Sequence, residues 1–347
     1  MNKLTKVGCS ALCGSLAAIA SASAGTMTVT GGADMTWMSR GNDTTGNPVG
    51  VGSNTTLNGA GELDNGWTFS VAIANLNLQS FSSAAVNLDM GGIGSLNFNQ
   101  GDSGNGIQAY DDLMPTAWEE SHGAGLSTGI RGIVSGSGAS QNIQYTLPLG
   151  TVSQIAFTVA PDKGVADTSD KSTASANDGQ GGGYDITLRL NPSLGTEVLS
   201  GLNMYFGGHT TEVYDNKANT DEAWQGVMAV TYSLGPISLG HQWSGEYTGE
   251  KALTKYNSYK ANGFGVAFNV NDDLSISYGE MKGRKEGYTH SAVQSGENTR
   301  LVEVESYQIA YTIGGASIRY ANVKATNAFY NAADDKEAKI VSVGLAF

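Results

Sequence analysis

The stretch Asp64-Asn65-Gly66-Trp67-Thr68-Phe69-Ser70-Val71-Ala72-Ile73-Ala74 decides the fold class. It opens with an Asn-Gly pair, and from Trp67 onward large apolar residues alternate with threonine, serine and alanine. Because successive side chains of a β-strand point to opposite faces, this period of two predicts a strand with one apolar face. The Asn-Gly pair predicts a tight hairpin turn that leads into the strand.

The same alternation recurs on both sides of this hairpin along most of the chain. It predicts about sixteen strands, and their approximate bounds are 27–40, 51–62, 67–78, 82–90, 95–100, 141–147, 151–160, 184–191, 197–209, 221–233, 237–247, 254–270, 274–283, 300–313, 316–326 and 337–347. The 48 glycines and six prolines also favour many strands and turns over helices.

The connections between these strands alternate between short turns and long loops. Turns such as 64–66, 271–273 and 314–315 alternate with loops such as 101–140 and 161–183. Bacterial outer-membrane barrels have short periplasmic turns, long outer loops and an even number of strands. The sequence therefore predicts an all-β fold: a transmembrane antiparallel up-and-down β-barrel.

Aromatic residues fall near both ends of the predicted strands, as expected where rings lie at the two lipid interfaces. Trp67, Tyr145, Tyr232, Phe268, Tyr311 and Phe347 lie toward the short turns, and Trp37, Tyr184, Phe206, Trp224 and Trp243 lie toward the long loops. The alternative is the aromatic core of a soluble sandwich, but the polar residues on the opposite faces of these strands argue against it.

Residues 1–24 have the order of a secretory signal peptide. Lys3 and Lys6 precede an apolar run, and Ala22-Ser23-Ala24 forms a small-residue cleavage motif. We expect cleavage after Ala24 and a single barrel domain at 25–347; the alternative is a retained helical anchor, for which the apolar run is short. Both cysteines lie in the signal, so we expect no disulfide and no thiolate site in the barrel.

Composition and motifs also limit the function. The chain has a formal net charge of −13, which argues against nucleic acid as a partner. Gly101-Asp102-Ser103-Gly104 resembles a serine-protease motif, but every histidine follows Ser103, against the order of that family. We therefore expect no enzymatic activity. We expect no cofactor and no metal site, with bound Ca²⁺ as the alternative, since the acidic spacing fits no calcium loop.

Several segments resemble the trimeric general porins of Gram-negative bacteria, and their alphaproteobacterial branch in particular. They are the hairpin 61–67, Gln-Tyr-Thr-Leu-Pro at 144–148, AYDDLMPTAWEE at 109–120 and the terminal Val-Ser-Val-Gly-Leu-Ala-Phe at 341–347. The resemblance implies that the third long loop folds into the lumen and narrows it. It also implies that the outer-membrane assembly machinery reads the terminal strand through Val341, Val343, Leu345 and Phe347.

The resemblance further implies a constriction at the third loop. Its acidic residues are Asp102, Asp111, Asp112, Glu119 and Glu120, and the predicted lumen wall carries Asp34, Arg40, Glu62, Asp89, Arg189 and Arg319. The family places a basic cluster opposite the acidic loop, but the first four strands of this chain offer only Arg40. We therefore expect an acidic constriction that prefers cations. The alternatives are an exposed third loop and carboxylates that are merely solvated.

The expected function is an outer-membrane porin for passive diffusion of small hydrophilic solutes and ions. The alternative is a closed-lumen surface or adhesion barrel; an outer-membrane hydrolase would need a Ser/His pair that these strands do not offer. Gly31 and Ala33 are small residues on the lipid-facing side of the first strand, which predicts a homotrimer packed there, or else relief of barrel curvature. The other expected partners are outer-membrane lipid and lipopolysaccharide.

Overall fold

A computed structural model describes residues 25–41, 46–77, 79–100, 104–138, 140–150, 153–161, 181–192, 197–212, 221–251, 256–286 and 299–346. The predicted signal peptide, Asp102 and Phe347 lie outside these residues. Among the described residues, no helical segment has the length and apolar character needed to span a bilayer.

Sixteen antiparallel strands form one closed barrel, in which each strand pairs with its sequence neighbours and β1 pairs with β16. The strands are β1 Thr26–Arg40, β2 Val49–Glu62, β3 Thr68–Leu76, β4 Gln79–Asp89, β5 Ser95–Gln100, β6 Asn142–Leu149, β7 Ser153–Ala160, β8 Gly183–Leu190, β9 Leu202–Thr211, β10 Ala223–Leu234, β11 Ile237–Tyr247, β12 Ser258–Asn269, β13 Leu274–Glu286, β14 Leu301–Ile313, β15 Ala316–Thr326 and β16 Lys336–Ala346. The predicted architecture is confirmed.

Most predicted strand bounds agree with the structure, and the largest error concerns the ninth strand. The predicted strand 197–209 begins only at Leu202, and Glu197–Ser200 form a short helix, α1. The last hydrogen bond along this edge of β10 joins Ser233 N to Gly201 O. By this register Ser200 is opposite Leu234, the last residue of β10, so residues before Ser200 have no partner on β10 and form a helical turn instead. The twelfth strand begins at Ser258 rather than at residue 254, and residues 254–255 lie outside the described part.

Apolar side chains cover the outside of the barrel. On β14, Tyr307, Ile309 and Tyr311 are 39–52% exposed, whereas Gln308 and Ala310 between them are buried. A soluble protein buries its apolar side chains and exposes its polar ones, and this wall does the opposite. Such an arrangement is stable where the exterior contacts lipid. The predicted inward and outward faces are therefore confirmed on this strand.

The connections lie at two ends, as predicted. The short-turn end has the turns 63–67, 90–94, 235–236, 270–273 and 314–315, and the long-loop end carries the third loop between β5 and β6. The wall is uneven in height. β3 has nine residues and β5 only six, whereas β13 and β14 have 13 each.

Candidate functional site

The third loop, residues 101–141, lies against the inner wall of the barrel in its described parts. It first runs along β8, β11, β13 and β14, where the amides of residues 107, 113, 117 and 118 donate to wall side chains. It reaches the seam between β1 and β16 at Gly125, next to Met38 and Ile340. It then returns along β13 to β10 and ends beside β6. The loop thus covers the inner face of about half the strands.

Three wall glutamines hold the loop backbone. Gln308 accepts from the amides of Trp118 and Glu119 at 3.0 and 2.9 Å, and its Nε2 donates to the carbonyl of Glu119 at 2.7 Å. Gln242 accepts from Leu113 N at 3.1 Å and donates to the carbonyl of Asp111 at 2.6 Å. A primary amide can accept and donate at once, so each side chain acts as a neighbouring strand would.

The third glutamine holds the returning part of the loop. Gln225 on β10 accepts from the amides of Ser135 and Gly136 at 2.8 and 3.0 Å. These bonds matter because an irregular segment inside a barrel has no ladder of its own, and buried amides without partners are costly.

Asp185 of β8 binds both the beginning and the end of the third loop. One carboxylate oxygen accepts from Ile107 N at 2.8 Å, and both accept from Ser137 N at 3.2 Å. His209 Nδ1 lies 2.7 Å from Asp185, and its Nε2 lies 2.6 Å from Thr211 Oγ1. The side chains of Asp185 and His209 are 0% and 1% exposed, so this pair is buried and holds the loop in place rather than facing the lumen.

Inward-facing glycines make room for the loop to lie close to the wall. A Cβ on Gly240 would lie 2.5 Å from Pro115 Cδ, and one on Gly279 would lie 2.6 Å from Ser121 Cβ. Larger residues at these wall positions would therefore push the loop toward the middle of the lumen.

Loop 3 carries an acidic cluster with one histidine. His122 Nδ1 lies 3.1 Å from Asp112 Oδ2, and its Nε2 lies 3.5 Å from Glu120 Oε2. Asp112 is 1% exposed and also accepts from Met114 N, so it organises the loop, whereas Glu119 and Glu120 are exposed. The predicted acids Asp111, Asp112, Glu119 and Glu120 are therefore close together but have different environments.

Burial and charge shift the pKa values within this cluster. Burial raises the pKa of Asp111 above its ordinary value, and the covering of about half of the Glu120 side chain, which is 53% exposed, raises the pKa of Glu120. The neighbouring carboxylates add to both effects. Burial alone would lower the pKa of His122, but the hydrogen bond to Asp112 and the charges of Asp112, Glu120 and Asp111 outweigh it and raise the pKa. His122 thus favours its cationic form beside these acids.

Barrel closure brings two predicted wall residues together. Arg319 on β15 reaches over β16 and forms an ion pair with Asp34 on β1. Its path passes Gly344, where a Cβ would collide with both side chains. The guanidinium also lies 5.2 Å from the ring of Trp118 on loop 3. Strand alternation predicts that Arg319 and Asp34 lie on the lumen wall, but only barrel closure shows that they neutralise each other.

The other predicted wall residues do not form a basic cluster. Arg40 donates to the carbonyl of Gly125 at the tip of loop 3, at 3.4 Å. Arg189 donates to Asn203 Oδ1 at 3.1 Å. Glu62 and Asp89 end β2 and β4 at the short-turn end, where Asp89 accepts from Gly91 N.

Strand alternation puts Asp185 and Gln242 on the polar faces of β8 and β11, but it indicates no role for them, for His209 or for the other two glutamines. Polar residues of inward parity also line a wet lumen, so parity alone cannot distinguish loop anchors from water-facing groups. Among the described residues, no three histidine, cysteine or acidic side chains are grouped so that they could hold a metal ion.

Comparison with known proteins gives matches to solved structures. No family model and no curated protein sequence matches the chain. A solved porin structure matches with a TM-score of 0.64 and 13% identity over 93% of this chain and 100% of the porin. OmpF from Salmonella typhi, in a complex with daunomycin, matches with a TM-score of 0.64 and 11% identity; the match covers 92% of this chain and 97% of OmpF. An anion-selective porin from Comamonas acidovorans matches with a TM-score of 0.61 and 15% identity; the match covers 93% of this chain and 100% of that porin. The chain therefore has the fold of these porins.

The substitution Gln308→Leu tests the anchoring of loop 3. It removes the side-chain oxygen and the side-chain amide group with which Gln308 binds the loop backbone, and it keeps a side chain of similar size. The backbone amides of Trp118 and Glu119 should therefore exchange with solvent about tenfold faster or more. Hydrogen exchange of the folded protein in detergent micelles measures this. Gln154→Leu, on the inner face of β7, is the matched control and should leave these amides unchanged. Unchanged exchange in Gln308→Leu would contradict the anchoring.

Proposed function

We propose that the protein is an outer-membrane porin that lets small hydrophilic solutes and ions diffuse through a water-filled lumen, with a preference for cations. The observation that carries this proposal is a closed barrel with an apolar exterior and a lumen that loop 3 narrows from one side. A cavity of about 700 Å³ is lined mainly by residues of β1, β2, β15 and β16, among them Thr30, Asn54 and Arg319. This open space favours a channel over a closed surface barrel.

The proposed preference for cations depends on the charges of loop 3 and of the facing barrel wall. The lumen faces of β1 to β5 carry mostly neutral hydroxyl and amide groups, such as Thr30, Asn54, Thr56 and Asn97. Arg319 and Arg131 are each paired with a carboxylate, so their positive charges are compensated. The other predicted wall arginines, Arg40 and Arg189, contact the Gly125 carbonyl and the Asn203 side chain. The proposed preference therefore rests on the exposed Glu119 and Glu120 of loop 3, because such carboxylates favour positive ions.

The fold by itself does not set the sign of this selectivity. The Comamonas protein is an anion-selective porin, and it has the same fold. A shared fold with different side chains at the site can carry different functions. The proposed sign therefore depends on the side chains of loop 3 and of the facing wall.

The double substitution Glu119→Gln/Glu120→Gln tests the sign. Because it removes the two exposed charges and keeps the buried Asp112, the cation-over-anion permeability ratio at about 0.1 M salt should fall about twofold or more, and less at about 1 M where screening is stronger. The measurement is the reversal potential of single channels in a planar bilayer under a salt gradient. Asp272→Asn/Asp273→Asn, in the turn 270–273, is the matched control. An unchanged ratio in the Glu119/Glu120 variant would reject the acidic constriction.

The shifted pKa values predict a pH dependence. Because the pKa of His122 is raised, its positive charge is lost only as the pH rises through that raised value, so cation preference should increase at a pH above the ordinary histidine range. Because the pKa values of Asp111 and Glu120 are also raised, cation preference should fade on acidification before ordinary carboxylates are neutralised. Reversal potentials recorded from acidic to mildly alkaline pH measure both steps. His122→Asn should abolish the upper step and keep the lower one; a wild-type protein without the upper step would contradict this role.

We also propose a homotrimer with β1 to β5 at the interface. β5 has six residues, which at a strand tilt of about 40° gives a wall of roughly 15 Å, below the apolar band of about 25 Å that a lipid-exposed barrel presents. A neighbouring subunit would cover this low wall, and the small Gly31 and Ala33 on β1 would allow close approach. The proposal includes export by the signal 1–24 and insertion through the terminal strand, on which Val341 and Leu345 face outward.

The assembly state has a direct test. Protein extracted from the outer-membrane fraction with mild detergent should have the mass of three mature chains, each beginning at Gly25. Heating in strong detergent should reduce this mass to that of one chain. Recovery from another cell fraction, or a single-chain mass before heating, would contradict the proposed location or the trimer, respectively.

A further inference from the structure

The outer surface of β12 to β16 changes from apolar to charged toward the long-loop end. The outward-facing positions there carry five basic and five acidic residues: Lys260, Lys282, Arg284, Lys324 and Lys339, and Glu280, Glu286, Glu303, Glu305 and Glu337. We refer to these ten residues as the charged sector. It is electrically neutral in a chain of net charge −13, so it is more basic than the rest of the protein.

The inside of the same strands is apolar at this height. Val302, Val304, Val323 and Ala338 are 0% exposed and form a core with Leu126 of loop 3 and its neighbours. The lower part of the same strands has the opposite arrangement, with Ile309 and Ile318 exposed on the outside. The upper part of this wall therefore has an apolar inner face and a charged outer face, as a water-soluble protein has, and charged side chains are unfavourable in hydrocarbon.

The charged sector lies at the height where other strands meet the lipid interface. Glu280 is six residues above Leu274, the first residue of β13, and Trp243 is likewise six residues above Ile237, the first residue of β11. Arg284 is ten residues above Leu274, and Trp224 is likewise ten residues above Leu234, the last residue of β10. Trp243 is 43% exposed on the outside, and Trp37 and Trp224 are exposed at the long-loop ends of β1 and β10. Since outward tryptophans mark the headgroup level of a membrane, the charged sector faces headgroups.

Within the described part of the chain, one part of the charged sector combines two basic side chains with one carboxylate that contacts both. Lys260 and Arg284 lie directly opposite each other on β12 and β13, where like charges repel. Both contact the single carboxylate of Glu286, at 2.6 Å for Lys260 Nζ and 3.5 Å for Arg284 Nε. Their side chains are 65% and 61% exposed, so they can reach a ligand outside the barrel.

Building on the proposed outer-membrane location, we propose that the charged sector binds the phosphate groups of outer-leaflet lipid headgroups, with Lys260 and Arg284 as the principal contacts. A guanidinium presents paired donors to phosphate oxygens, and an ammonium supplies a point charge beside it. An added phosphate would relieve the repulsion between the two cations. A lipid phosphate is favoured over free phosphate because the site is at headgroup height on the outer face.

The test compares lipids that differ only in phosphate. Folded wild-type protein in detergent micelles is titrated with diphosphorylated lipid A, with its dephosphorylated form and with inorganic phosphate, and native mass spectrometry counts the bound molecules. The wild type should retain the phosphorylated lipid and lose about tenfold or more of its affinity in Lys260→Gln/Arg284→Gln. Lys251→Gln is the control, because Lys251 is 49% exposed and ion-paired with Asp221 but lies outside the sheet.

Equal wild-type binding of the two lipids, unaltered binding by the double variant, or comparable binding of inorganic phosphate would overturn the proposal. A double variant that binds lipid normally but changes its oligomeric mass would instead assign the charged sector to contacts between subunits. Single-channel conductance of the same samples is read separately. Lipid binding without conductance would reject the proposed pore and keep the lipid site, and conductance without phosphate-dependent binding would do the reverse.

Discussion

Every strand in a membrane-spanning sheet needs a hydrogen-bonded partner on both edges, and the pairing of β1 with β16 meets this requirement here. Closure also creates the inside and the outside of the molecule, so each side chain is assigned to lipid or to lumen by its parity. It brings Arg319 and Asp34, 285 positions apart in sequence, into an ion pair across Gly344. The charge of the lumen wall is thus a consequence of closure.

The same requirement for backbone partners governs the loop inside the barrel. Loop 3 is too irregular to form a ladder, so Gln225, Gln242, Gln308 and Asp185 supply the missing acceptors and donors from the wall. Inward glycines let the loop approach closely enough for these bonds to form. The exposed carboxylates of the loop are consequently held at a fixed place in the lumen, as the proposed cation preference requires.

The upper wall of β12 to β16 shows how far the surroundings of a strand can change along its length. Near the short turns, lipid is outside and the lumen is inside; near the long loops, the core with loop 3 is inside and charge is outside. Strand parity stays the same throughout, and only the chemistry of each face changes. The outward charges and the inward core therefore occur together, at the same height of the same strands.

The sequence by itself determined the barrel, its even number of strands, its two kinds of connection and the parity of most side chains. These follow from a period of two that is local in the chain, and they therefore needed no tertiary information. The tertiary structure decided which polar inward residues face water and which hold loop 3, because Gln308 and Gln154 have the same parity and residue type. It also decided that Asp112 is buried, that Asp185 pairs with His209, and that Arg319 is neutralised by Asp34. Each of these depends on contacts between strands or loops distant in sequence, and alternation carries no information about such distances.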